Sequence, residues 1–156
     1  MLKPGSRKSA QFAYWNLKRK GQGQSDIARQ FGISRQAVSK SVKLMERDIL
    51  FRMLEFCRTS GVLVEWTDAA KGVTIGIIPA LGNVGCILLV DNRGALRMFY
   101  DPERMSDRKE RESVVSELRY LIMDIMEMDI GIANQMKVIV KKIIEFEKKE
   151  DGGRGE

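Results

Sequence analysis

Apolar and polar positions alternate along this chain in three distinct rhythms. From Gln24 to Lys43 the spacing is helical and interrupted once. Ile27, Ala28 and Phe31 fall on one face of a first short helix, and Val38 and Val42 fall on one face of a second. Gln24 or Ser25 opens the first helix, with Asp26 in its first turn, where a carboxylate suits the positive end of the helix dipole. Gly32 between the helices suits the left-handed backbone of a tight turn, and Ser34 is placed to cap the second. Ahead of this pair, Phe12, Ala13, Trp15 and Leu17 predict a helix capped by Ser6 or Ser9 and running to about Lys20. Its basic residues Arg7, Lys8, Lys18, Arg19 and Lys20 are expected outside, and Gly21-Gln22-Gly23 ends it. Beyond Lys43, Leu44, Met45, Ile49, Leu50, Met53, Leu54 and Cys57 keep helical spacing to about Thr59. They predict that the helix continues, or breaks only briefly after Lys43, with a fourth helix packed under the first three favoured.

At Val62 the period drops to two. Val62–Trp66, Val73–Ile78, Cys86–Val90 and Leu96–Tyr100 are rich in β-branched and aromatic residues and are separated by turn signals. The short connections imply antiparallel neighbours. The second and third strands are apolar on both faces, so both faces call for cover, from helices or from a second copy of the chain. From Glu112 to Lys149 a helical rhythm returns: Leu118, Leu121, Ile125, Met128, Ile132, Met136, Ile139, Ile143 and Phe146 mark a near-heptad seam, with Gly131 a natural kink or break. The fold class expected is α+β. An all-α helix-turn-helix domain of about four helices (1–60) precedes a small antiparallel β-meander with long C-terminal helices (61–150), and residues 151–156 form a flexible tail.

Charge sharpens this division. Residues 1–60 hold 13 Lys and Arg against 4 Asp and Glu (+9); residues 61–156 hold 14 against 17 (−3). A basic N-terminal part on a mildly acidic remainder points to polyanion binding by the first part alone. The chain has no histidine, the usual general base and commonest metal ligand. Cys57 and Cys86 stand alone and suit neither a disulfide framework nor a zinc site; small core residues in a reducing cytoplasm are expected. Val73–Val90 is free of charge, but Gly76, Pro79, Gly82, Asn83 and Gly85 punctuate it as two strands and a turn rather than a membrane span. No catalytic constellation, metal site or cofactor motif stands out, so no enzymatic activity and no cofactor are expected.

At Ala28, Gly32 and Val38 the chain resembles the helix-turn-helix of phage repressors and bacterial and archaeal transcription regulators. That family places glycine four residues after a small residue and an aliphatic residue six after the glycine. Ile27, Phe31, Ile33, Ala37 and Val42 also fall where the family keeps apolar or small residues. The resemblance covers about twenty residues and does not extend to the C-terminal part. A wing is not expected at the usual place, because helical spacing continues past Lys43. The resemblance implies that helix 34–43 enters the major groove of double-stranded DNA. Ser34, Arg35, Gln36, Ser39, Lys40 and Lys43 are the candidate contacts, with Arg35 and Gln36 suited to base edges. Arg29 and Lys8 are candidate phosphate partners. The expected function is a sequence-specific transcriptional regulator. It is expected to act as a homodimer through the sheet and the C-terminal helices, with any small-molecule effector unspecified. A DNA-targeting subunit of a nucleic-acid-processing enzyme, or an adaptor binding RNA or protein, is the alternative.

Overall fold

A computed structural model describes residues 5–128, 130–131 and 133–153. Three helices come first: α1 (Arg7–Arg19), α2 (Gln24–Phe31) and α3 (Arg35–Thr59). Four strands follow, β1 (Leu63–Asp68), β2 (Val73–Ile78), β3 (Val84–Val90) and β4 (Leu96–Tyr100), and two helices close the chain, α4 (Arg108–Met126) and α5 (Met136–Gly153). The strands form one antiparallel meander in the order β1-β2-β3-β4. The architecture is α+β, with the N-terminal helices first and the sheet after them.

The expected third and fourth helices are one. α3 runs unbroken for 25 residues, so the N-terminal part has three helices rather than about four. No glycine or proline lies between Ser34 and Gly61 to stop it. One stripe, Val38, Val42, Met45, Ile49, Met53 and Cys57, is buried along its full length. The α1 cap is Ser6, whose Oγ accepts from Ser9 N at 3.1 Å. α2 starts at Gln24 with Gly23 in the cap position and no side-chain cap bond.

The sheet is a middle layer. On one face Val73, Ile75, Ile87, Leu89 and Phe99 pack with α4 and α5 through Leu118, Ile122, Ile125, Ile139 and Ile143. On the other, Leu88 and Val90 join α1, α2 and α3 through Trp15, Ile27, Val42, Met45 and Ile49. Both sheet faces therefore find their cover within one chain, as does the described part of the C-terminal seam. A β-bulge in β1 serves this two-sided burial. Its register shifts between Val64 and Trp66, so that Val64 packs with the first helical layer and Trp66 with the second. Without the extra residue, two positions two apart would share a face.

The C-terminal pattern resolves into two helices. Asp107 caps α4 by accepting from Lys109 N (2.8 Å). Glu127 takes the left-handed conformation that ends it, and Gly131 lies in the link at φ +63. Ile132 of the expected seam lies outside the described residues. Of the expected tail, residues 151–153 continue α5 and residues 154–156 lie outside the described residues. No helix among the described residues is long and apolar enough to cross a membrane, and Val73–Val90 forms β2, a 3-10 turn and β3.

Arg19 departs from its expected place on the outer side of α1. It is 2% exposed, stacked over Trp15 with its guanidinium carbon 4.4 Å from the ring centre. It donates to Val90 O (2.6 Å), Lys71 O (3.3 Å) and Asp91 O (3.1 Å), while Lys71 Nζ donates back to Arg19 O (3.1 Å). The end of α1 is thereby tied to the turns on either side of the β2–β3 pair. Gly72 fits the same junction: at φ +72, a Cβ there would stand 2.8 Å from the Trp15 ring. Burial pulls the Arg19 guanidinium down to about 9, against the pull of Asp91 and Asp124, so it remains a cation at neutral pH. Arg19→Met is expected to lower unfolding stability by about 3 kcal/mol, because it leaves buried carbonyls without donors. Chemical denaturation checks this, and an unchanged midpoint and slope contradict the clamp.

Cys57 and Cys86 are buried and free. Burial pushes both thiols up, Cys86 to about 11. The reactive thiolate is therefore scarce at pH 8. Native protein is expected to resist a thiol-specific reagent at that pH and to release two equivalents on adding denaturant. Fast reaction of either thiol in the native state contradicts this burial.

Candidate nucleic-acid interface

The turn between α2 and α3 is built from backbone geometry. Gly32 is in the left-handed conformation (φ 65, ψ 35), and its N–H returns to Ala28 O. Ile33 N also bonds Ala28 O at 3.1 Å. Ser34 then leaves the chain extended, its Oγ accepts from Ala37 N (3.0 Å), and α3 begins. Ile27, Ala28, Val38 and Val42 are buried together, which fixes the two helices against each other and against α1 through Phe12 and Trp15. The small side chain of Ala28 lies inside this cluster. Phe31 is an exception to the expected inward face. It is 41% exposed and meets Tyr14 edge-on, ring centres 4.9 Å apart.

The start of α3 faces outward. Ser34, Arg35, Gln36, Lys40 and Lys43 are exposed, and Ser39 is half-buried. On a helix of 3.6 residues per turn, Arg35, Ser39 and Lys43 form one row and Gln36 and Lys40 the next. Five of the eight candidate residues thus lie on a single arc over the first turns of α3, and a sixth, Ser34, caps the helix just before it. No acidic residue occurs between Ser34 and Lys43, whereas Glu46, Asp48 and Glu55 follow along the same helix. The positive charge is concentrated at the end where the free N–H groups of the first turn also point.

The other two candidates stand apart. Arg29, on α2, is exposed and paired with Asp26 one turn earlier. Lys8, on α1, reaches Asp48 at 3.8 Å. Asp48 lies roughly 18 Å along α3 from Gln36 at the helical rise, so Lys8 is not gathered with the first turns of α3. Arg19 is withdrawn from the surface charge by its burial.

Sequence reading overlooked the remainder of this face. Arg47, Phe51 and Leu54 are exposed on α3 and continue the arc of Lys40 and Lys43. The surplus of apolar residues on α3 was the available signal: one buried stripe needs only six of them. Elsewhere, two adjoining clefts of about 460 and 490 Å³ share Asp101, Glu103, Met136 and Lys137. They are lined by four acidic and four basic side chains, which selects for neither sign of ligand charge. Among the described residues no group of three or more Cys, Asp or Glu is placed to hold a metal ion. Comparison with protein-family models, with curated proteins and with solved structures finds no match to this chain.

Proposed function

We propose that this protein is a sequence-specific transcriptional regulator that binds double-stranded DNA with the first turns of α3 in the major groove, and that it acts as a homodimer. The observation that carries the reading is the α2–α3 turn. Gly32 is left-handed, Ser34 caps α3, and α3 then presents a basic, acid-free arc outward. Arg35 and Gln36 have the side-chain forks that discriminate guanine and adenine edges. Ser39, Lys40 and Lys43 supply hydroxyl and ammonium donors for flanking phosphates. The split of charge, +9 against −3, gives the non-specific attraction that precedes base reading.

The test begins with selection of bound sites from random duplexes at fixed salt. On the recovered site, Arg35→Ala is expected to cost about 1–3 kcal/mol and to relax preference at one base pair. Lys43→Ala is expected to weaken all duplexes similarly and to reduce the salt slope by about one. Recovery of no preferred sequence, or an Arg35→Ala protein with unchanged affinity and preference, rejects the assignment.

A further inference from the structure

The inward stripe of α3 is complete, yet the helix carries a second apolar stripe on its opposite side. Phe51 is 65% exposed, Leu44 41% and Leu54 40%. With Arg47 and Arg58 they recur at steps of 3, 4, 3 and 4, the spacing of a helix-pairing seam. A seam of this kind on a 25-residue helix that is already packed on its other side has no further cover among the described residues.

We propose that this stripe is a self-association surface, on which α3 of a second copy of this chain packs antiparallel, with Phe51 at the two-fold axis. Charge selects both the occupant and the direction. A two-fold axis at Phe51 sets residues equally far before and after it opposite each other. Arg47, four before, then faces Glu55, four after, and symmetry makes this contact twice. Leu44 faces Arg58, whose stem covers it while Glu55 holds its guanidinium at 3.0 Å within the chain. Parallel packing instead sets Arg47 against Arg47 and Arg58 against Arg58, a repulsion that excludes it. A nucleic-acid occupant is disfavoured because Asp48 and Glu55 lie beside the apolar residues.

The pairing surface and the recognition turns meet only at Lys43. With the axis at Phe51, the end of the partner's α3 at Thr59 reaches only as far as Lys43, leaving residues 35–42 uncovered. At 1.5 Å per residue, the two Ser39 positions lie about 36 Å apart, of the order of one duplex turn. That consequence rests on the DNA reading above; the self-association does not.

Sedimentation equilibrium of the full chain without DNA tests it. The expected result is a reversible monomer–dimer equilibrium, weakened at least tenfold by Phe51→Glu with thermal unfolding of the monomer unchanged. Phe51 is exposed, so the substitution leaves the core intact. Tyr120→Glu, at an exposed aromatic on α4, is expected to leave the equilibrium as it is. Arg47→Glu alone is expected to weaken the dimer, and Arg47→Glu with Glu55→Arg to restore it. A monomer at every concentration, or a dimer insensitive to Phe51→Glu, overturns the surface. Failure of the double exchange to restore the dimer overturns the antiparallel register. Because DNA is absent, each outcome stands apart from the result of the Arg35→Ala binding measurement.

Discussion

The inward stripe of α3 is the constraint on which the other elements depend. Val38 and Val42 complete the core of the α2–α3 turn, and Met45, Ile49, Met53 and Cys57 carry the same stripe across the sheet. One helix therefore belongs to two structures at once. Its burial per residue is ordinary, since each fully buried aliphatic or methionine side chain contributes roughly 1.5–3 kcal/mol. What matters is continuity. A break after Lys43 would let the first three helices and the sheet pack independently, whereas the unbroken helix fixes the orientation of its N-terminal turns relative to the meander. Arg19 reinforces this from the other side, fastening α1 to the turns beside β2 and β3 with buried hydrogen bonds. Charge-assisted bonds of that kind are costly to bury and costlier to break, so they define one docking geometry more than they add net stability.

The sheet answers to the same constraint. With α3 across one face and α4 and α5 across the other, β2 and β3 must be apolar on both sides. The run Cys86–Val90 is buried throughout. β1, at the edge, has to serve both layers with fewer residues, and its bulge at Glu65 lets Val64 and Trp66 point apart. Thr74 is the one polar side chain of the middle strands at this depth. It is satisfied by Thr67 Oγ1 at 2.7 Å and approaches Met53 Sδ at 3.4 Å, which places a hydroxyl under α3 without leaving it unbonded.

Much of this was legible in the sequence, and the limits have physical causes. The α2–α3 turn was readable because its signals are local: Gly32 supplies a backbone conformation and Ser34 a cap within four residues of each other. Strand positions were readable for the same reason, and β2 and β4 match their expected bounds. The burial of both sheet faces was expected, but not which helices cover them, since that depends on contacts far apart in the chain. Arg19 could not be recognised because its acceptors, at positions 71, 90 and 91, are distant in sequence. On α3, Leu44 and Leu54 fall in one helical run with Met45 and Met53. Helical spacing gives angles around an axis, and only the packed structure says which arc is inside. The site shows the same division: the five candidates on α3 and its cap Ser34 fall together, while Lys8 and Arg29 pair with carboxylates elsewhere.

The two sides of α3 bear differently on function. Its inner side is fully used by the fold, whereas the outer side makes surface ion pairs, Asp48 with Lys8 and Glu55 with Arg58 among them. Along that side the residues change from Arg, Gln and Lys before position 44 to Leu, Phe and Leu interspersed with both arginines and acids from position 44 on. A solvated helix face has no reason to collect its large apolar side chains at one end in this way, because exposed apolar side chains gain nothing from water. The two neighbours proposed above, one anionic and one apolar with matching charge, would account for the change at about Leu44. Since both would dock on a single rigid helix, the geometry of one association fixes that of the other: a partner held at Phe51 determines where the second Gln36 stands. On these two proposals, binding at one end would favour binding at the other without any change of fold, through orientation alone.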